Sequence, residues 1–189
     1  LGIGRKLAED LGHQLVALVV GSEVGGMPES AVHYGADKVY VVDDPLFAVY
    51  KPDAYVAVIE KWMGQAAPQI LILGQTDLGR DLAPRVAFRL GTVATLDCLD
   101  LAIEGDSRRL LQTKPVYGGN ALRIMMTHTD PQIVTIRIKA MTAPEPDPSR
   151  QGEIVALDAG MDADVVRVLL LERVAEEVQG VKLEDAGIV

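Results

Sequence analysis

Three apolar runs dominate the first half of the chain, at residues 14–21, 38–42 and 69–74. Each is apolar at consecutive rather than alternate positions. Such a segment needs cover on both faces, the condition of a strand in a parallel sheet with helices above and below. The stretches between supply the helices. Ile3, Leu7 and Leu11 recur at helical spacing until Gly12, and residues 28–34 form a short helix closed by Gly35. Residues 52–67 start with Pro52 at the first helical position, carry Tyr55, Ile59 and Met63 as an inner stripe, and stop before Pro68. Residues 77–90 repeat the pattern with Leu78, Leu82, Val86 and Leu90. Pro84 either bends that helix or marks its first turn with Asp81 as N-cap. The pattern predicts an α/β fold, a mostly parallel sheet with helices on both faces. Because a parallel domain leads each helix with a strand, the helix at residue 1 predicts a further strand upstream of Leu1.

The alternation then stops. Residues 95–103, 110–114, 121–128 and 132–138 read as strands separated by Gly, Asp and Pro, which adds antiparallel or mixed pairing in the second half. Pro144, Pro146 and Pro148 make residues 142–152 a stiff linker or edge loop. The expected organisation is an α/β domain over 1–141, that Pro-rich segment, and residues 153–189 as the last strand and a lead-in to a further domain. The run Val-Val-Arg-Val-Leu-Leu-Leu within 164–174 is the expected last strand, and Gly187-Ile188-Val189 reads as the start of another.

At 189 residues the chain is long enough for one core-forming domain, built from aliphatic residues because 49% is hydrophobic and only 4% aromatic. A formal charge of −9 disfavours nucleic-acid backbones and anionic membranes. No apolar run approaches the roughly 20 residues of a spanning helix, so membrane insertion is not expected. A lone Cys98 permits no internal disulfide and fits a reducing cytosol. His13, His33 and His128 lack partners at helical metal-pair spacing, so no metal is expected.

Two compact motifs stand out. Gly74-Gln-Thr-Asp-Leu-Gly79-Arg80-Asp81 nearly spells a phosphate loop, but Arg80 and Asp81 replace the Lys and the magnesium-binding hydroxyl, and Asp81 places a negative charge where the metal would sit. A tight turn with a helix cap explains it better. Tyr117-Gly118-Gly119-Asn120 is a turn between two strand-like runs, with Tyr117 available as an interface anchor. No catalytic pair is expected: Cys98 and His128 are distant in sequence, and the chain is not read as an enzyme.

Three segments in order resemble the N-terminal domain of the α subunit of electron transfer flavoproteins, a family that includes FixB-type proteins. They are Tyr34-Gly-Ala-Asp-Lys-Val-Tyr40; Gly74-Gln-Thr-Asp-Leu-Gly-Arg-Asp-Leu-Ala-Pro-Arg85 with Ala87 and Arg89-Leu-Gly91; and Pro115-Val-Tyr-Gly-Gly-Asn-Ala121 with Pro131-Gln132 and Thr135-Ile-Arg137. The similarity covers nearly the whole chain and departs at Arg137-Ile-Lys139, where the family usually has Arg-Pro-Gly. The resemblance implies a Rossmann-like fold of the adenine nucleotide alpha hydrolase-like kind. It implies a heterodimer with a β subunit that takes electrons from flavin dehydrogenases, for example in fatty acid oxidation, and passes them to a quinone reductase. FAD would be held mainly by a C-terminal domain with no counterpart in these residues, so no cofactor is expected in this segment alone. A bacterial or archaeal cytoplasm, or a mitochondrial matrix, is the implied setting. The domain itself would be a scaffold, with Arg80, Asp81, Tyr117, Gly118, Gly119 and Asn120 as candidate subunit contacts. The alternative is a free-standing adenine-nucleotide-binding domain of universal-stress-protein-like type, with Gly21, Ser22 and residues 74–76 at the ligand.

Overall fold

A computed structural model describes residues 1–161, 166–172 and 174. Among these residues there are four α-helices: α1 (Gly2–Leu11), α2 (Met27–His33), α3 (Pro52–Ala66) and α4 (Asp77–Arg89). Nine strands accompany them: β1 (Val16–Gly21), β2 (Lys38–Asp43), β3 (Ile70–Gly74), β4 (Ala94–Cys98), β5 (Asp100–Ile103), β6 (Leu110–Val116), β7 (Ala121–Met126), β8 (Gln132–Ile136) and β9 (Glu153–Ala156). Two three-stranded sheets are parallel, in the orders β1-β2-β9 and β3-β8-β4; the third, β5-β6-β7, is an antiparallel meander. The fold is therefore α/β with mostly parallel pairing and an antiparallel addition in the second half, as the apolar runs require.

Side-chain parity shows how the layers sit. Val16, Leu18 and Val20 of β1 and Leu71 and Leu73 of β3 pack into one core with α3 and α4. The alternate residues Ala17 and Val19 pack with Val32 of α2, and Ile70 and Ile72 pack with Leu7 of α1. Helices thus cover both faces, and α3 and α4 span both parallel sheets.

Local chemistry sets the boundaries. Gly12 takes a left-handed conformation (φ 66°) to close α1. Pro52 opens α3. The N-cap of α4 is Thr76, whose Oγ1 accepts from the Gly79 amide at 3.1 Å, so Asp81 is not the cap and Pro84 lies inside the helix. The run expected as one strand over 95–103 is two, because Asp97 adopts φ 66° and the register shifts between Thr95 and Cys98. β4 ends there in a parallel sheet and β5 begins an antiparallel one.

One reading needs correction. The described residues of 164–174 carry no strand: Leu169, Leu171 and Val174 are exposed there, and the strand that closes the first sheet is β9, four residues long and parallel to β2. The reading of Gly187-Ile188-Val189 lies outside the described residues. Between β8 and β9 the chain is tied down: the Asp147 amide donates to His33 O at 2.9 Å, and Arg150 pairs with Asp37 at 2.8 Å.

Candidate functional site

The phosphate-loop look-alike is a tight strand-to-helix turn. β3 ends at Gly74 and α4 begins at Asp77, leaving only Gln75 and Thr76 between them. Gly79 already lies in the first turn of the helix, where an added Cβ would overlap the Gly74 carbonyl oxygen. The G-x4-G spacing thus reflects close packing of helix on strand end rather than an anion cradle. Asp81 accepts from the Tyr50 hydroxyl at 2.8 Å and from Arg85 Nε at 2.9 Å. Burial raises its pKa, yet these two donors outweigh that and hold it below the ordinary aspartate value. Asp81 is thus committed within the domain, whereas Arg80 is exposed and has no ion-pair partner among the described residues.

Beside that turn is a polar cluster at the carboxyl ends of β3, β8 and β4. The Thr135 hydroxyl donates to Gln75 Oε1 and accepts from the Asp97 amide at 2.9 Å. Arg137 grips Asp97 with two hydrogen bonds, Nε to Oδ1 at 2.9 Å and a terminal nitrogen to Oδ2 at 2.6 Å. The Arg137 bond is the main reason the Asp97 carboxyl lies low, and the positive fields of Lys114 and Arg80 add to it. Gln75, Thr135 and Arg137 stood in the quoted motifs and Asp97 did not; the four are brought together only by the β3-β8-β4 order, which no local spacing reveals.

The glycine turn is separate. Tyr117, Gly118 and Gly119 all have positive φ, at 54°, 68° and 94°. Asn120 bonds back to Tyr117 O through its side chain at 2.9 Å, closing the turn on itself. The Tyr117 ring is 84% exposed at the tip of the β6–β7 hairpin. Among the described residues no hydrogen bond or ion pair joins Arg80 or Asp81 to residues 117–120, so the six candidates fall on two separate turns.

Cys98 is fully buried, its thiol pushed up to about 11 by burial, and its sulfur faces Thr95 O at 3.8 Å. His128 is exposed, so these two make no nucleophile–base pair. Among the described residues no three His, Cys, Asp or Glu side chains gather as metal ligands, and no helix is long and apolar enough to cross a membrane.

A cavity of about 1030 Å³ forms a slot between β1 and β3. Leu18, Val20, Leu71 and Leu73 line it from the strands, and Ile3 and Leu7 from α1. Neither β1 nor β3 is paired along this side among the described residues. Two parallel half-sheets that share α3 and α4 are therefore parted by an apolar gap.

Comparison with known proteins agrees with this architecture. Residues 1–161 match the family described as "Electron transfer flavoprotein domain". The "Electron transfer flavoprotein subunit alpha" of Megasphaera elsdenii is 36% identical over 191 aligned positions, covering 100% of this chain and 56% of that protein. "Protein FixB" of Clostridium saccharobutylicum is 44% identical over 138 positions, 72% of this chain and 41% of its own length. The "Lactate dehydrogenase (NAD(+),ferredoxin) subunit LctC" of Acetobacterium woodii is 33% identical over 98% of this chain and 44% of its own. The chain spans about half the length of the curated relatives it matches, and it belongs to the electron transfer flavoprotein family, alongside α subunits and FixB proteins.

Proposed function

We propose that this domain is the scaffold and subunit-contact domain of an electron transfer flavoprotein α subunit. In that reading the complete protein carries FAD, pairs with a β subunit in a bacterial or archaeal cytoplasm, and moves electrons from flavin dehydrogenases towards a quinone reductase. The observation that carries it is the exposed hairpin tip, where a large aromatic ring is held in a backbone conformation costly for any residue with a Cβ. The two contact regions are Arg80 at the strand-end turn and Tyr117 with Gly118, Gly119 and Asn120 at the tip.

The residues described do not fit a dinucleotide. FAD carries a diphosphate that needs several donors, and the slot between β1 and β3 offers chiefly Leu, Ile and Val side chains. No electron-transfer step is therefore assigned to this chain's own residues, and the reading assigns the flavin to the remainder of the complete protein. The apolar slot suits an extended segment instead. A strand of the complete protein, preceding α1, would satisfy the open edges of β1 and β3 and finish one parallel sheet.

Native mass spectrometry of the protein purified from its own cells tests the reading. A longer chain paired with a second subunit and carrying the mass of FAD is expected, and Arg80→Ala or Tyr117→Ala should loosen the pair. Association and flavin retention untouched by both substitutions would remove these contacts. A bare monomer that binds ATP or AMP saturably would favour the nucleotide-binding alternative.

A further inference from the structure

Positive charge gathers at the carboxyl ends of β3, β8 and β4, although the chain as a whole carries a formal charge of −9. Arg137, just past β8, gives Nε and one terminal nitrogen to Asp97, and its other terminal nitrogen makes no hydrogen bond among the described residues. Arg80, in the first turn of α4, is exposed and unpaired among the described residues, and its field reaches Asp97. Lys114 acts on the same carboxylate from β6. Side chains alternate along a strand, so Lys114 shares the face of Leu110 and Gln112, which are fully buried, but is itself only half-buried. Arg123 of β7 stands directly opposite Lys114 and has no ion-pair partner among the described residues. Four cations thus surround or adjoin one carboxylate. Two of them face each other across the hairpin, where like charges are unfavourable. Asp97 itself is held at φ 66°, a conformation costly for a residue with a Cβ. Neither arrangement is one that stability alone would select.

We propose that this basic patch receives a group of carboxylates on the second subunit, which meets the domain between its two contact turns. The inference rests on the subunit-contact reading above and deepens it. Arg80 belongs to the strand-end turn and Lys114 to the strand that leads into Tyr117, so the patch joins what are otherwise separate regions. A free anion such as phosphate fits poorly. The carboxylate on which Arg137, Lys114 and Arg80 all act is the protein's own Asp97, and it would repel an anion placed among them. Carboxylates fixed on a facing surface can instead lie around Asp97, each against a different cation. A second copy of this chain also fits poorly, since a two-fold contact through the patch sets cations against cations. Complementary charge of this kind acts chiefly on encounter rate and register, and it directs an acidic partner to one place on a chain whose overall charge would repel it.

The dissociation constant of the intact subunit pair, followed over a salt series, tests this. The variants are Arg80→Glu and Lys114→Glu, with Arg80→Gln as a milder change and Lys6→Glu, at an exposed position of α1, as a control of equal charge change. Screening sets in at about 30 Å in about 0.01 M salt and at about 3 Å in about 1 M. The natural pair should loosen as salt rises. Each reversal should weaken it on the order of tenfold at low salt, Arg80→Gln by less, and all three should converge on the natural pair at about 1 M. Lys6→Glu should leave association unchanged. A pair that forms without salt dependence and tolerates both reversals overturns the patch and leaves the subunit reading standing. An equal loss in Lys6→Glu does the same, since it marks a response to overall charge. Absence of any second subunit overturns both, and a homodimer loosened by the reversals overturns the choice of partner.

Discussion

Tyr117 and Cys98 show how single residues divide between stability and contact. A non-glycine residue in the left-handed region costs about 1–2 kcal/mol, and Tyr117 bears that at φ 54° with a ring that touches solvent. Tyr117→Gly should therefore raise the unfolding free energy measured by chemical denaturation by about 1 kcal/mol net of the chain entropy glycine adds, while weakening subunit association. A variant that loses stability would show that the ring supports the fold. Cys98 makes the opposite case. With its thiol at about 11 and its side chain sealed from water, it should resist alkylation at pH 8 in the folded protein and react fully in denaturant, which mass spectrometry of the labelled chain would read. The strand that buries Cys98 was legible in the sequence, as part of the run 95–103. The sequence hid the backbone of Tyr117, since a Gly-Gly pair advertises positive φ for the glycines and says nothing of the residue before them.

Among elements, the joins are less legible than the elements themselves. α3 and α4 follow from Pro52 and from the apolar stripes, whereas β9 is four residues after a proline-rich stretch and carries too little pattern to separate from a loop. The split of 95–103 at Leu99, just after the irregularity at Asp97, was equally hidden, because apolar content continues through it while the chain changes sheets. What fastens β9's approach is charge. Asp37 accepts from Arg5 at 2.5 and 3.2 Å, from the Leu15 amide at 2.8 Å and from Arg150 at 2.8 Å, joining α1, the lead into β1 and the segment before β9. Burial raises the Asp37 pKa, but Arg5, the Leu15 amide and Arg150 together lower it below 3.8. A depressed carboxyl contributes stability above its unfolded pKa that is lost as pH falls through the folded value. Asp37→Asn should cost about 2 kcal/mol at pH 7, and the gap to the natural protein should close below about pH 4. Urea melts across that range check it; a gap independent of pH would place the effect in packing instead.

At the scale of the whole molecule, the slot between β1 and β3 decides how the domain is to be understood. If a strand of the complete protein lies there, Leu18 and Leu71 are core residues, and Leu18→Ala and Leu71→Ala should each cost about 2–5 kcal/mol in the full-length chain. Costs nearer about 1 kcal/mol would mean that the gap stays open to water. The parallel half of the fold was readable because buried strands must be apolar on both faces. The cluster of Gln75, Asp97, Thr135 and Arg137 was not, because it exists only once β8 has entered between β3 and β4. That insertion also imposes an order on biosynthesis. β3 and β4 leave the ribosome well before the strand that separates them, and β2 waits for β9 across more than a hundred residues of chain. Neither half-sheet can close while its late strand is still being translated, so a nascent chain arrested before Gln132 holds the waiting edges of β2, β3 and β4 open to aggregation or to a chaperone.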